Sequence, residues 1–202
     1  MDPALYRAVL LNDIHAFISL VRKNEAILDQ RTSTASNTVL HLASRLGFVD
    51  LVMEIIKLRP NMVQAENKML ETPLHEACRE GKSKIVLLLL QTGSWVASNF
   101  NMENQSPLLI ACSYGHLEVV KVLLNQPLFL RLEYDNPHGL TSLHVAASKG
   151  HTGMCLFRLS IDKHIYLLTR LITSTLKLVG YCLSFFFFFS FYTDKLYHVQ
   201  FM

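Results

Sequence analysis

The chain repeats itself at a pitch of 34 to 35 residues, and this self-similarity limits its fold more than any other feature. The stretches NTVLHLASRLG (37–47), ETPLHEACREG (71–81), QSPLLIACSYG (105–115) and LTSLHVAASKG (140–150) align without gaps. Leu40, Leu74, Leu108 and Leu143 share one slot, Ala43, Ala77, Ala111 and Ala146 a second, and Gly47, Gly81, Gly115 and Gly150 a third. One pitch earlier, ALYRAVLLN puts Leu5, Ala8 and Asn12 into the same slots. Coincidence does not produce five units in step.

Each unit has a physical reading. Thr38, Thr72, Ser106 and Thr141 are N-cap residues, whose hydroxyls can accept from an otherwise orphaned backbone N–H. Pro73 and Pro107 follow at the first helical position, where proline forfeits no hydrogen bond. Leucine and alanine three apart then share a helix face, and the small alanine lets a neighbouring helix approach. The glycine, or Asn12 in the first unit, supplies the positive φ that ends the helix. A second helix is predicted over FVDLVMEIIKL, KSKIVLLLLQT and HLEVVKVLLNQ, with an apolar face at helical spacing. Pro60, Gly93 and Pro127 close these helices, and polar connectors such as AENKMLE and YDNPHGL join the units. A unit this small cannot bury its own face. The expected architecture is therefore an all-α solenoid of stacked helix–turn–helix units with extended fingertip connectors.

The motif Thr72-Pro73-Leu74-His75-Glu76-Ala77 matches the T-P-L-H-x-A signature in full, and the units resemble ankyrin repeats. The resemblance spans residues 1–152, with units starting near 3, 36, 70, 104 and 139 and the last incomplete. The opening MDPALYRAVLLNDI, with NTVLHLASRLG and ETPLHEACREG, is similar to plant ankyrin proteins that carry a C-terminal PGG domain. That similarity implies a non-catalytic scaffold for a protein partner in membrane-linked stress or defence signalling. The family's later repeats, PGG motif and multi-helix membrane domain have no counterpart in this sequence. Departures within the repeats matter too. Only Gly139 keeps the fingertip glycine, which Ser36, Leu70 and Asn104 replace elsewhere. Leucine tolerates a left-handed backbone poorly, so the fingertip at Leu70 is expected to have a different shape. Leu109 stands where the other units carry a histidine, which removes any hydrogen bond made there.

The residues that tempt a catalytic reading are better explained by the repeat. His41, His75 and His144 recur at the pitch, too far apart for one metal ion, and in ankyrin repeats this histidine resembles a structural residue. HEACR lacks the second histidine of HExxH, and no GxGxxG, P-loop or GxSxG is present. Cys78 and Cys112 fill one slot of successive units, and the four cysteines show no CxxC spacing. The chain is therefore expected to be no enzyme and to bind no cofactor, metal or small-molecule substrate. Residues 1–152 balance 14 Lys/Arg against 14 Asp/Glu, which offers no basic stripe for nucleic acid.

What remains is surface. In this architecture the fingertips and the exposed face of the first helices line a concave groove. By register the groove takes in Arg45, Leu46, Arg79, Glu80, Ser113, Tyr114, Ser148 and Lys149. The fingertip residues Lys68, Met69, Glu71, Met102, Glu103, Gln105 and His138 join them. A mixed-charge strip with one aromatic anchor and a methionine pair suits a protein or peptide partner.

The repeat pattern fails after Thr152. Gly153 falls in a helix interior, and Arg158 takes the slot of Ile55, Leu89 and Leu123. Residues 153–202 form an apolar, non-repeat tail holding 8 of the 12 phenylalanines and 5 Lys/Arg against 2 Asp/Glu. Two readings compete. In one, a segment near 171–193 is a membrane anchor, although its uncharged run of 16 residues (178–193) is short of the usual ~20. Lys163, Arg170 and Lys177 on its amino-terminal side would keep the repeats cytosolic, at the plasma membrane by family resemblance. The chain would then be a membrane-anchored sensor or channel-associated subunit. In the other reading, which the mid-helix break favours, the tail is a translated retained intron. Gly153-Met154-Cys155 can be encoded across GTATGT, a plant splice-donor sequence, and five consecutive phenylalanines fit a T-rich intron. The amino terminus has no basic n-region, which argues against a secretory signal.

Overall fold

A computed structural model describes residues 1–125, 142–151 and 153 of the 202-residue chain. Every regular element among the described residues is helical. Each unit contributes an inner and an outer helix. The pairs are α1 (Pro3–Leu10) with α2 (Ile14–Lys23), α3 (Val39–Leu46) with α4 (Val49–Leu58), α5 (Pro73–Arg79) with α6 (Ser83–Thr92), and α7 (Pro107–Ser113) with α8 (Leu117–Leu124). An inner helix of the next unit, α9 (Ser142–Ser148), follows.

The inner helices pack in chain order, α1 on α3, α3 on α5, α5 on α7 and α7 on α9, while α4, α6 and α8 form a second row. The slots that recur in the sequence make these contacts. Leu5, Leu40, Leu74 and Leu108 are buried, as are Ala8, Ala43, Ala77, Ala111 and Ala146. The buried apolar residues form one core running from Leu5 to Ala146. Burying a leucine side chain fully contributes about 2 kcal/mol, so the repeated slots supply much of what holds neighbours together.

Local chemistry fixes where each inner helix starts and stops. The Thr38 hydroxyl accepts from the His41 backbone N–H at 3.4 Å, and Ser106 accepts from Leu109 at 3.2 Å. The turn after α5 needs glycine for two reasons. Gly81 has φ +69°, and a Cβ there would lie 2.6 Å from the His116 ring of the next unit.

Two features differ from the sequence expectation. The connectors are not simply polar. After each outer helix a 3-10 turn (Glu25–Asp29, Pro60–Gln64, Ser94–Ser98) buries Ile27 and Leu28, Met62 and Val63, or Val96 and Ala97 under the stack. Pro60 and Gly93 therefore mark a change of helix type; Pro127 lies outside the described residues. The fingertip at Leu70 also keeps the common shape. Ser36, Leu70 and Asn104 all adopt the left-handed conformation, with φ of 58°, 56° and 57°.

The reason is a hydrogen-bonded frame that overrides residue preference. Asn67 Oδ1 accepts from the backbone N–H groups of Met69 (2.8 Å) and Glu71 (3.0 Å), and its own N–H donates to the Glu71 carbonyl. Asn101 repeats the arrangement with Glu103 and Gln105. Adjacent fingertips are joined by Lys68 N–H to Ala35 O and Met102 N–H to Met69 O, both 2.9 Å. Leu70 pays for this in backbone strain, since a left-handed non-glycine residue costs roughly 1–2 kcal/mol. The tail beyond Gly153 and the candidate anchor at 171–193 lie outside the described residues. Among the described residues no helix is long and apolar enough to cross a membrane.

Because Leu70 is 45 % exposed, it has little packing to lose. Leu70→Gly should raise the unfolding free energy by about 1 kcal/mol, read from urea denaturation. A lower midpoint would show that the backbone there is not strained.

Candidate partner-binding surface

The repeat histidines are part of the scaffold. His41 is fully buried, and its Nδ1 lies 2.8 Å from the Thr38 hydroxyl and 3.3 Å from the Thr38 backbone N–H. A backbone N–H can only donate, so Nδ1 accepts and the ring proton sits on Nε2. That proton points to the Glu71 carbonyl of the next unit, at 2.8 Å. One imidazole thus closes the cap of its own helix and ties down the following connector. His75 does the same at Nδ1, 3.1 Å from the Thr72 N–H, while its Nε2 is buried beside Asn99 and Gln105 without a hydrogen-bond partner. Burial pushes both imidazoles down to a pKa of about 4. The His144 side chain lies outside the description.

A second set of histidines works from the turns. His116 Nε2 lies 2.8 Å from the Arg79 carbonyl and His151 Nε2 3.2 Å from the Ser113 carbonyl, satisfying groups that a helix C-terminus leaves open. The Tyr114 ring stacks on His116, with centroids 6.4 Å apart and planes 7° from parallel. Tyr114 is nevertheless 55 % exposed, so it is both held and available.

Glu71 is the predicted groove residue that the structure places otherwise. It is 5 % exposed, and its carboxylate is spent inside the stack. Arg79 donates to both of its oxygens, Nη1 to Oε2 at 3.0 Å and Nη2 to Oε1, and Asn101 Nδ2 reaches Oε1 at 3.2 Å. Burial alone would raise its pKa; Arg79 and Asn101 outweigh that and hold it below the ordinary carboxylate value. Arg79, half-buried, is raised in turn: burial lowers it, but Glu71 prevails. Glu76 is also buried, and burial lifts its pKa against the opposing pull of Arg45 and Arg79.

The other predicted positions fall where the repeat puts them. Arg45 and Leu46 are exposed at the end of α3, Glu80 just after α5, Tyr114 after α7, and Ser148 and Lys149 at and after the end of α9. Lys68, Met69, Met102 and Glu103 are exposed on fingertips. Gln105 and Ser113 are half-buried; Gln105 Oε1 accepts from Asn101, and Ser113 Oγ donates to Leu109 O. His138 lies outside the described residues. Two residues were missed. Leu10 and Leu11 stand 35 positions before Arg45 and Leu46 and are 41 % and 65 % exposed, so the strip begins in the first unit. The signal was present in the register.

A family model described as ankyrin repeats, in three copies, matches residues 5–99 and again 94–165. The chain belongs to the ankyrin-repeat family. No curated protein gives a significant match. Ankyrin-repeat proteins are generally binding scaffolds without catalytic activity, and they generally act through protein–protein contacts. The ankyrin architecture also explains why the buried thiols are unsuited to nucleophilic work. Cys78 and Cys112 are packed in the core, and burial pushes the Cys78 thiol well above its ordinary pKa.

The neutral histidines make stability depend on pH with a definite sign. In the unfolded chain each imidazole titrates near its ordinary value of about 6.5, against about 4 when folded. Between those values the unfolded chain binds more protons. Their contribution is therefore complete above pH ~6.5 and is lost as pH falls toward 4, roughly 3 kcal/mol at most for each. Glu71 adds loss at lower pH, and Glu76, whose pKa is raised, acts in the opposite direction. Urea midpoints should fall steeply from pH 6.5 to 4.5, with a shallower slope for His41→Leu. An equal slope in that variant would contradict the assignment.

Proposed function

We propose that this chain is a non-catalytic ankyrin scaffold that holds a protein partner against the exposed strip formed by its inner-helix ends and fingertips. One observation carries the reading. Tyr114 is more than half exposed, yet its ring is held by His116, which is itself tied to the Arg79 carbonyl. A large aromatic side chain already ordered before binding loses little conformational entropy in a complex, and such residues dominate interface energetics. Leu11, Leu46, Met69 and Met102 supply further exposed apolar surface on the same elements.

The finer reading is that the scaffold serves membrane-linked stress or defence signalling, from the cytosolic side. It rests on the similarity of the opening and of the second and third units to plant ankyrin proteins with a PGG domain. A second reading makes the tail itself the anchor, supported by the 16 uncharged residues at 178–193 and the cations that precede them.

A photo-reactive amino acid placed at position 114 of the full chain in cells should cross-link to a discrete protein partner. The same group at exposed Lys84, on the outer helix α6, should not. Equal labelling from both positions would count against the inner strip as the binding face. Alkaline carbonate washing of membranes decides the anchor reading: a spanning tail keeps the chain in the pellet, whereas release into the wash removes that reading.

A further inference from the structure

The strip has a fixed chemical order, and that order specifies what it can bind. Leu11, Leu46, Glu80, Tyr114 and Lys149 occupy one slot in five successive units, and all five are exposed. Along the stack this column reads apolar, apolar, acidic, aromatic, basic. The cations near this acidic middle have other contacts: Lys82 lies along Gly47 of the preceding unit. Arg79 is consumed by Glu71 and Glu76, and Arg45 stands close enough to Glu76 to act on its carboxyl. Lys68 turns its ammonium back onto the Ser33 carbonyl at 3.2 Å. Glu80 and, on the next fingertip, exposed Glu103 have no ion-pair partner among the described residues.

Building on the proposed function, we infer that the partner presents an extended segment with a basic residue set between apolar ones, matched to this column. The spacing follows from two lengths. Packed helices lie about 8–10 Å apart, and an extended chain advances about 3.3 Å per residue, so neighbouring units meet partner residues about three apart. Apolar side chains at relative positions 1 and 4 then face Leu11 and Leu46. A lysine or arginine near position 7 faces Glu80, and an apolar or aromatic residue near position 10 faces Tyr114. A segment with an acidic residue at the central position would meet two uncompensated carboxylates, and like charges brought together across an interface are strongly disfavoured. Lys149 extends the rule, favouring an acidic residue near position 13.

The test is selection of phage-displayed random 16-residue peptides on the immobilised full chain. Binding of the winners is then measured by fluorescence polarisation to the full chain and to its Glu80→Lys and Tyr114→Ala variants, each first shown to melt normally. The expected winners carry a basic residue flanked by apolar ones at about three-residue intervals. They should bind both variants at least about tenfold more weakly. Winners weakened by Tyr114→Ala but not by Glu80→Lys, or carrying a central acidic residue, overturn the inferred chemistry and leave the strip as the binding face. Winners indifferent to both substitutions overturn the strip itself. Failure of any peptide to enrich also overturns the proposal, since a column this exposed should select its complement from random sequence.

Discussion

Everything in this molecule depends on the fact that no unit can satisfy itself. The apolar face of each helix pair is buried only by the next pair, which is why the leucine and alanine slots recur and why the core is continuous from Leu5 to Ala146. The polar groups obey the same rule. His41 completes the N-terminal cap of α3 with one nitrogen and holds the Glu71 carbonyl of the next connector with the other. Asn67 reaches back to the Asn37 side chain at 2.9 Å, and Asn101 reaches back to Glu71. His116 and His151 close the ends of the preceding inner helices. Apolar burial supplies the drive, and these bonds set the register, because a slipped neighbour would leave several buried polar groups without partners.

This division of labour decides which residues are left for function. Among the described residues His41, His75, His116, His151, Cys78, Cys112, Glu71 and most of Arg79 are committed to the stack, so these groups are little available for chemistry. What remains exposed on the inner side is a row of side chains largely outside the core, among which Tyr114 stacks on His116. A scaffold of this kind changes its partner by changing such positions, and the hidden ladder stays as it is. That is the physical sense in which an ankyrin stack is a binding surface first.

Much of this was legible in the sequence because the repeat aligns residues that share an environment. The pairing of helices and their caps followed from spacing, and the structural role of the histidines from the resemblance to ankyrin repeats. Three things did not. Glu71 reads as a surface charge beside a cap, and its burial depends on Arg79 eight residues later and Asn101 thirty later, which no local pattern links. Leu70 has the wrong preference for its backbone; the Asn67 frame and the bonds between fingertips impose the conformation regardless. The 3-10 turns were hidden because stretches such as PNMVQ carry too few residues for a period to show. Leu10 and Leu11 were visible in the register, 35 positions before Arg45 and Leu46.

The account is tested most directly by the protonation state of two rings. Long-range nitrogen–proton correlation NMR on the full chain identifies the tautomer of each histidine at neutral pH. The account predicts that His41 and His75 are both neutral with the proton on Nε2, because Nδ1 of each accepts from a backbone N–H of its own cap. Their signals should not titrate until well below pH 6. A proton on Nδ1, or ordinary titration near pH 6.5, would contradict the account: the caps of α3 and α5 would be closed differently, His41 would not bridge its unit to the next, and the stack would need another source of register.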